Sequence, residues 1–433
     1  MLGSVETAAT HRDIQAHSQS RPLWRAASAA LIGNTLEWYD MALYAYFAYT
    51  ISKLFFPAGD ESLSLLITFG TFGVSFLVRP LGALVLGAYA DRAGRKKSLT
   101  LSISLMLAGT LIIACLPTYE SIGLLAPIGI LVARLLQGFS AGGEFGSATA
   151  YLIEHASPRQ RGFIASLQFA SQGLATVLAS LFGYVLTKNL SEEALLDWGW
   201  RVPFLFGLLI GPVGFYIRRH CDESPAFQRS EANQQPVRVL LGRQKLLVLI
   251  AMGTLIVSTA SNFLIQYMPS YAAKDLGLPQ SSGFMSTLAG GLILTFVTPF
   301  VGLLSDRIGR LRIMIASALV YLCVAYPAFV WLNTVPSQLS LTLIVCLMAL
   351  IKAVYFAPLP ALMAETFPVA TRAVGMSLSY NIGVTVFGGF APLIASSLIG
   401  LTGDKTAPSY YLMFAAVLSL CALLGAKLKL RQH

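Results

Sequence analysis

The chain has 433 residues, 55% of them hydrophobic and only 12% charged, with a mean hydropathy of +0.68. A soluble globular chain carries roughly 25% charged residues, so a water-facing surface is excluded unless lipid covers most of it. The formal charge of +10 would suit nucleic acid, but the basic residues cluster between apolar runs, which is a pattern of membrane topology.

A bilayer core takes about 20 apolar residues per helix, and the sequence predicts twelve such spans. They cover 24–52, 62–90, 97–117, 122–153, 162–187, 199–217, 246–269, 282–304, 311–332, 339–364, 374–399 and 408–427. The runs are continuous rather than alternating, which selects an all-α membrane protein over a barrel. The first 20 residues are polar and lack the apolar core of a cleaved signal peptide. With the N-terminus inside, 22 of the 30 Lys and Arg fall on the cytoplasmic side, five outside and three within spans. That bias places both termini in the cytoplasm. The expected division is a tail over 1–22, a six-helix bundle over 23–217, a cytoplasmic linker over 218–245, a second bundle over 246–428 and a tail over 429–433.

Polar groups inside the spans are the candidate functional residues, because a charge at the bilayer centre costs at least about 2.5–3.5 kcal/mol and needs a partner or a wet cavity. Span 1 carries Asn34, Glu37 and Asp40 at helical spacing. Enclosed carboxylates can exchange a proton, so Glu37 and Asp40 are candidates for proton coupling. Span 2 carries Arg79 before Pro80, and span 4 carries Arg134, Gln137 and Glu144 near one stripe. An arginine cannot usefully deprotonate, but it can grip a carboxylate with two parallel hydrogen bonds. Glu144 joins the proton-coupling candidates. Gln168 and Gln172 of span 5, Asn262 and Gln266 of span 7, and Tyr380 and Asn381 of span 11 are neutral candidates for the cavity. Lys352 lies thirteen residues into span 10 and supplies the second half with a deep cation. Three buried cations against three carboxylates suit an anionic ligand. The five cysteines show no metal-ligand spacing and are expected to be small packing residues. No P-loop, His/Cys cluster or nucleophile constellation points to an enzyme or an ATP-driven pump, and no metal or cofactor is expected.

The two halves repeat. Gly87-Ala-Tyr-Ala-Asp91-Arg92-Ala-Gly94-Arg95-Lys96 after span 2 matches Gly302-Leu-Leu-Ser-Asp306-Arg307-Ile-Gly309-Arg310-Leu311 after span 8, at an offset of 215 residues. Glu154 with Arg161 matches Glu365 with Arg372 at an offset of 211. A duplicated six-helix bundle is a hallmark of secondary transporters.

These motifs resemble those of the major facilitator superfamily, and the resemblance covers about residues 24–428. The G-x-x-x-D-R-x-G-R-[KR] loop is complete after span 2, and its second copy departs only at Leu311. Gly33-Asn34-Thr-Leu-Glu37-Trp38-Tyr39-Asp40, Val78-Arg79-Pro80-Leu81-Gly82 and Arg134-Leu-Leu-Gln137-Gly138-Phe-Ser-Ala-Gly142-Gly143-Glu144 are similar to the metabolite:proton symporter branch. Leu401-Thr-Gly-Asp404-Lys405-x-x-Pro408 is most similar to citrate and tricarballylate symporters. The resemblance implies two pseudo-symmetric bundles around a central site, working by alternating access. It implies a gate built from the repeated loops, with Asp91 set against the positive N-terminus of span 11 and Asp306 against that of span 5. Glu154, Arg161, Glu365 and Arg372 would complete its ion pairs. The function expected is proton-driven symport of a di- or tricarboxylate in a bacterial inner membrane. Osmolyte import and export of a polycarboxylate, such as a citrate-based iron chelator, remain alternatives, as does a sensor that keeps the fold. The expected partners are a small organic anion, protons and the bilayer, without nucleic acid, and the monomer is expected to suffice.

Overall fold

The computed structural model describes residues 31–93, 95–142, 160–209, 211–212, 242, 244–368 and 371–430, with the side chains at 87, 88, 90–93, 95, 96, 99, 429 and 430 left aside. Among the described residues there are helices and no strands. Span 1 is α1 (31–46) continued by α2 (Ala48–Phe55), and span 2 is α3 (Glu61–Leu77) followed by α4 (Arg79–Ala93). Span 3 is α5 (Arg95–Cys115), span 4 contains α6 (Leu125–Ser140), span 5 is α7 (Arg161–Asn189) and span 6 contains α8 (Arg201–Gly207). In the second half α9 (Lys245–Lys274), α10 (Gln280–Ile308) and α11 (Arg310–Thr334) are unbroken. Span 10 is split into α12 (Gln338–Phe356) and α13 (Leu359–Thr366), span 11 into α14 (Arg372–Val384) and α15 (Ala391–Thr402), and α16 (Pro408–Leu430) closes the chain.

Among the described residues, eight helical segments are long and apolar enough to cross a membrane, and α5 and α6 contain shorter apolar helices. Several run past the predicted spans: α9 ends at Lys274 rather than 269, and α10 at Ile308 rather than 304. Hydropathy marks only the hydrocarbon-facing part of a helix, whereas hydrogen bonding carries it into the polar interface. Most of the predicted linker 218–245 lies outside the described residues.

Local chemistry sets the ends and breaks. The Asp60 carboxylate accepts from the Leu63 N–H and starts α3, and Ser337 and Ser340 form a reciprocal capping box on α12. Val78 interrupts span 2 just before Arg79-Pro80. Pro80 has no N–H to give the Phe76 carbonyl one turn back. That carbonyl instead accepts from Thr385 Oγ1, at 2.9 Å, in the other half. Thr385 itself opens a five-residue π-turn, Thr385–Gly389, between α14 and α15. Gly309 and Gly403 take φ values of 102° and 69° at helix ends, where a side chain would strain the backbone.

Small residues let the helices meet, as expected where lipid removes the hydrophobic drive between them. A Cβ on Gly138 would lie 1.8 Å from the Ser75 carbonyl, and one on Gly82 would lie 1.9 Å from that of Phe139, so α6 packs directly on span 2. Across the halves, α7 and α10 run antiparallel in continuous contact, Gly162 against Gly302 at one end and Gly183 against Phe284 at the other. The apolar window of α9 is 89% buried and that of α11 33%, so α9 belongs to the centre and α11 to the lipid face. Cys115, Cys323 and Cys421 are exposed and unbonded, which corrects their reading as packing residues, and Cys221 lies outside the described residues.

Candidate functional site

In the first half, α1 and α6 bring Asp40, Arg134 and Gln137 together. All three are 0% exposed. Gln137 Nε2 donates to Asp40 Oδ2 at 2.7 Å and to Thr110 Oγ1 at 3.1 Å, while its Oε1 accepts from Arg134 Nη1 at 2.8 Å. Arg134 Nη2 donates to Ser75 Oγ at 3.0 Å. The carboxylate and the guanidinium are therefore joined through an amide rather than directly. The guanidinium lies over the rings of Tyr44 and Phe72 at 4.8 and 5.0 Å, a favourable placing for a desolvated cation. Arg134 Nε and Asp40 Oδ1 are buried without a hydrogen-bond partner. Such orphans are costly among buried polar groups.

Arg79 is 2% exposed, so it does not snorkel out of the membrane. Its guanidinium sits over Phe76 at 4.6 Å and Trp38 at 5.8 Å, and it interacts electrostatically with Glu37 and with Tyr380 of the other half. Its Nη2 contacts the Met41 thioether, a weak acceptor, and its Nε has no partner. Arg79 and Arg134 are close enough to repel, so an anion between them would relieve both.

The second half supplies Lys352, 1% exposed. Its Nζ donates to Asn262 Oδ1 at 2.5 Å and lies 4.8 Å from the centre of the Phe356 ring. Among the described residues it forms no ion pair. Both polar atoms of Gln172 and the Oε1 of Gln266 are also buried without a hydrogen-bond partner.

Other expected site residues are occupied by protein. Asn34 Nδ2 donates to the Gln168 carbonyl at 3.0 Å and to Ser171 Oγ at 2.6 Å, tying α1 to α7. Asn381 Nδ2 donates to the Gly142 carbonyl at 2.8 Å, tying α14 to the chain just past α6. Glu37 is half-buried. Glu144 and Glu154 lie outside the described residues, as does Gly94, and the side-chain positions of Gly87, Asp91, Arg92 and Arg95 are among those left aside.

The halves also meet at both ends. At the end carrying the basic loops, both oxygens of Asp306 accept from the Gly162 N–H at 3.0 Å, so this carboxylate caps the N-terminus of α7. Asp306 also pairs with Arg310 at 2.9 Å, and Arg310 pairs with Glu365. Arg372 Nε donates to the Ala364 carbonyl at 2.8 Å, Arg161 Nε has no hydrogen-bond partner among the described residues, and Arg307 and Gly309 are exposed. Phe169 stacks on Phe356 at 3.7 Å across the same end. At the opposite end Phe284 packs on Phe47 at 5.3 Å and Phe69 meets Tyr267 edge-on at 5.4 Å. With both ends closed, the buried cations are occluded. Ser75, Thr110, Met41 and Phe356 escaped the sequence reading because hydroxyls and apolar side chains are ordinary inside spans. The signal that the sequence did offer was one-turn spacing from a charged candidate: Ser75 stands one turn before Arg79, Met41 one turn after Glu37 and Phe356 one turn after Lys352.

Two helical bundles enclosing buried charge, closed at both ends, define a carrier of the major facilitator type. The chain belongs to the "Sugar (and other) transporter" family, whose profile matches residues 26–241 and 230–427 and so covers both halves. It is thus a membrane transporter with the twelve-helix fold, not an enzyme. It is 40% identical over 393 residues to a citrate-proton symporter of Klebsiella pneumoniae, covering 90% of this chain and 88% of that relative. It is 34% identical over 423 residues to a proline/betaine transporter of Salmonella typhimurium, covering 94% and 83%. The crystal structure of a D-xylose-proton symporter matches with a TM-score of 0.74 over 92% of this chain and 97% of that one, at 18% identity, which speaks for the fold alone.

Proposed function

We propose that the protein is a proton-coupled symporter that carries an organic di- or tricarboxylate, of the citrate or tricarballylate kind, by alternating access. The observation that carries the reading is the trio of buried cations, Arg79, Arg134 and Lys352, two of them with an unpartnered Nε. An anion with two or three carboxylates can answer all three. Its likeness to a citrate-proton symporter supports the substrate class.

The amide bridge supplies a coupling route. Protonation of Asp40 cancels the charge that faces Arg134 through Gln137. The arginine then attracts the incoming carboxylate more strongly. Glu37 stands in the same relation to Arg79. Release of substrate lets the carboxylates shed their protons on the other side. No cofactor enters this scheme, and the proton gradient is the energy source. We place the protein in a bacterial inner membrane with both termini and the basic loops in the cytoplasm, on the positive-inside bias. The aromatic end then faces the periplasm. We take residues 23–217 and 246–428 as the two moving bundles, and the monomer as the working unit.

Uptake of labelled citrate into proteoliposomes, with and without an inward proton gradient, tests the reading. Gradient-stimulated uptake that tricarballylate blocks is the expected result. Import of a zwitterionic osmolyte is the second reading, favoured by the proline/betaine relative. Competition by betaine but not by tricarballylate would replace the first reading with the second.

A further inference from the structure

The Leu401–Pro408 string, singled out in the sequence, has no part in the central site. It forms the loop between α15 and α16 at the periplasmic end. With Asp275 and Asn333 it lines a cavity of about 260 Å³. Asp275 is the residue that ends α9, and it is only 7% exposed. Its carboxylate accepts from the Tyr267 hydroxyl at 3.1 Å, and its main-chain carbonyl accepts from Lys405 Nζ at 2.5 Å. The Lys405 carbonyl accepts in turn from the Tyr271 hydroxyl at 2.7 Å. Tyr267 is fully buried, and its ring is the one that meets Phe69 of the other half. A carboxylate in the lining of this cavity is thus one hydrogen bond away from Tyr267, which lies in the periplasmic seam.

We propose that Asp275 is a second proton-binding site, at the periplasmic mouth, and that its protonation favours closure of the seam. The proposal rests on the alternating-access reading above and not on the identity of the substrate. Closing the seam presses Tyr267 against Phe69 and encloses Asp275, while opening it would return the carboxylate to water. Enclosure raises the Asp275 pKa above the ordinary carboxylate value. Lys274, the Tyr267 hydroxyl and Lys405 oppose that rise, and Glu61 at the start of α3 adds to it from across the seam. Tyr271 and Asp404 complete the titratable neighbours, and Asn333 is the neutral contribution of α11. The Asp404 carboxylate is held low by Thr406 and Tyr410, so it stays charged and offers no rival proton site.

The sign follows from linkage. The closed state has the higher pKa, so it binds the proton more tightly, and external acid shifts the protein toward closure. The cost of closing grows as pH rises above about 3.9, the solvated carboxylate value, and levels off above the raised value of the closed state. A charged Asp275 facing Glu61 across the seam adds to that cost in the same direction.

The test uses the full chain in right-side-out vesicles, with the natural cysteines replaced by serine. Ser270→Cys reports the opening, because Ser270 is 0% exposed on α9 between Tyr267 and Tyr271. Labelling by an impermeant maleimide is divided by that of an exposed Leu401→Cys control at each pH, which removes the ionisation of the thiol itself. The relative rate is expected to rise at least about threefold as pH climbs from about 4, near the solvated carboxylate value, and to level off above the raised value of the closed state. Asp275→Asn should hold it at the low value throughout, and Asp275→Glu should restore the rise. A flat parent profile overturns the proposal. So does an Asp275→Asn profile that still rises, or one that labels fast at every pH. Citrate uptake in the same vesicles separates the two readings. Asp275-dependent labelling without citrate transport keeps the gate and removes the substrate, and citrate transport with pH-independent labelling does the reverse.

Discussion

Gln137 meets three partners with one amide group: Asp40, Thr110 and Arg134. Removing a buried hydrogen-bonding group leaves its partners unsatisfied at about 1–3 kcal/mol, which is about 5- to 150-fold in an equilibrium. Gln137→Ala is therefore expected to cut proton-driven uptake at least about tenfold while the protein still inserts. Gln137→Glu should do worse, because it sets a second carboxylate against Asp40. The two span 1 carboxylates should separate in a transport assay. Asp40→Asn is expected to abolish accumulation against a gradient yet keep exchange of internal for external substrate, since exchange needs no net proton movement. Glu37→Gln fixes the neutral form beside Arg79, so it should tighten substrate binding at neutral pH and lower accumulation less than Asp40→Asn does. Equal losses of accumulation in the two variants would mean that both carboxylates carry protons. The charged members of this site were legible because a charge inside an apolar run demands a reason. Their hydroxyl partners were not. Ser75 and Thr110 also donate to carbonyls within their own helices, as serines and threonines in helices ordinarily do, and only the fold reveals their second role.

Span 2 shows how an element is specified by what it must touch. Its break at Val78 and the Pro80 that follows release the Phe76 carbonyl for Thr385, so a local defect becomes a contact between halves. Gly138 lets α6 approach this same region, with its absent Cβ 1.8 Å from the Ser75 carbonyl. Backbone cannot retreat as a flexible side chain can. Gly138→Ala is expected to cost upwards of about 1–3 kcal/mol and to displace Ser75 from Arg134. It should lower the melting temperature of the purified protein and reduce uptake together. Gly33→Ala meets open space and serves as the control that changes neither. Unchanged transport in Gly138→Ala would show that span 2 can move aside. At this scale the sequence reading located helices well, because twenty-residue apolar runs have few alternatives in lipid. It missed the split at Ala357–Pro358 and the π-turn at Thr385–Gly389. The first has a local cause, since Pro358 and Pro360 lack the N–H that a continuous helix needs, and the second opens at Thr385, whose hydroxyl bonds the Phe76 carbonyl.

At the scale of the molecule, the two closed ends compete. Opening toward the cytoplasm must break the Asp306 cap on α7, and opening toward the periplasm must part Phe284 from Phe47. The cytoplasmic contacts are not equal in strength. Asp306 is 4% exposed and accepts from two backbone N–H groups as well as Arg310, whereas Glu365 is 41% exposed. An enclosed carboxylate on a helix N-terminus is worth up to about 2 kcal/mol. A solvated ion pair is worth about 0–1 kcal/mol. Asp306→Asn also turns a donor toward the Gly162 N–H, so it removes more than a charge. The expected order of inward opening is therefore Asp306→Asn well above Glu365→Gln, with about a tenfold or greater shift for the first and less than about fivefold for the second. Phe284→Ala should shift the population the opposite way, because it empties the space that Gly183 leaves for the ring. Thiol labelling from each side of the membrane reads all three variants. Combining Asp306→Asn with Phe284→Ala should bring the balance back toward the parent, since each destabilises the occluded state from a different end. If the double variant instead opens inward as far as Asp306→Asn alone, the periplasmic aromatics are packing rather than a gate, and the cytoplasmic lock alone sets the resting state.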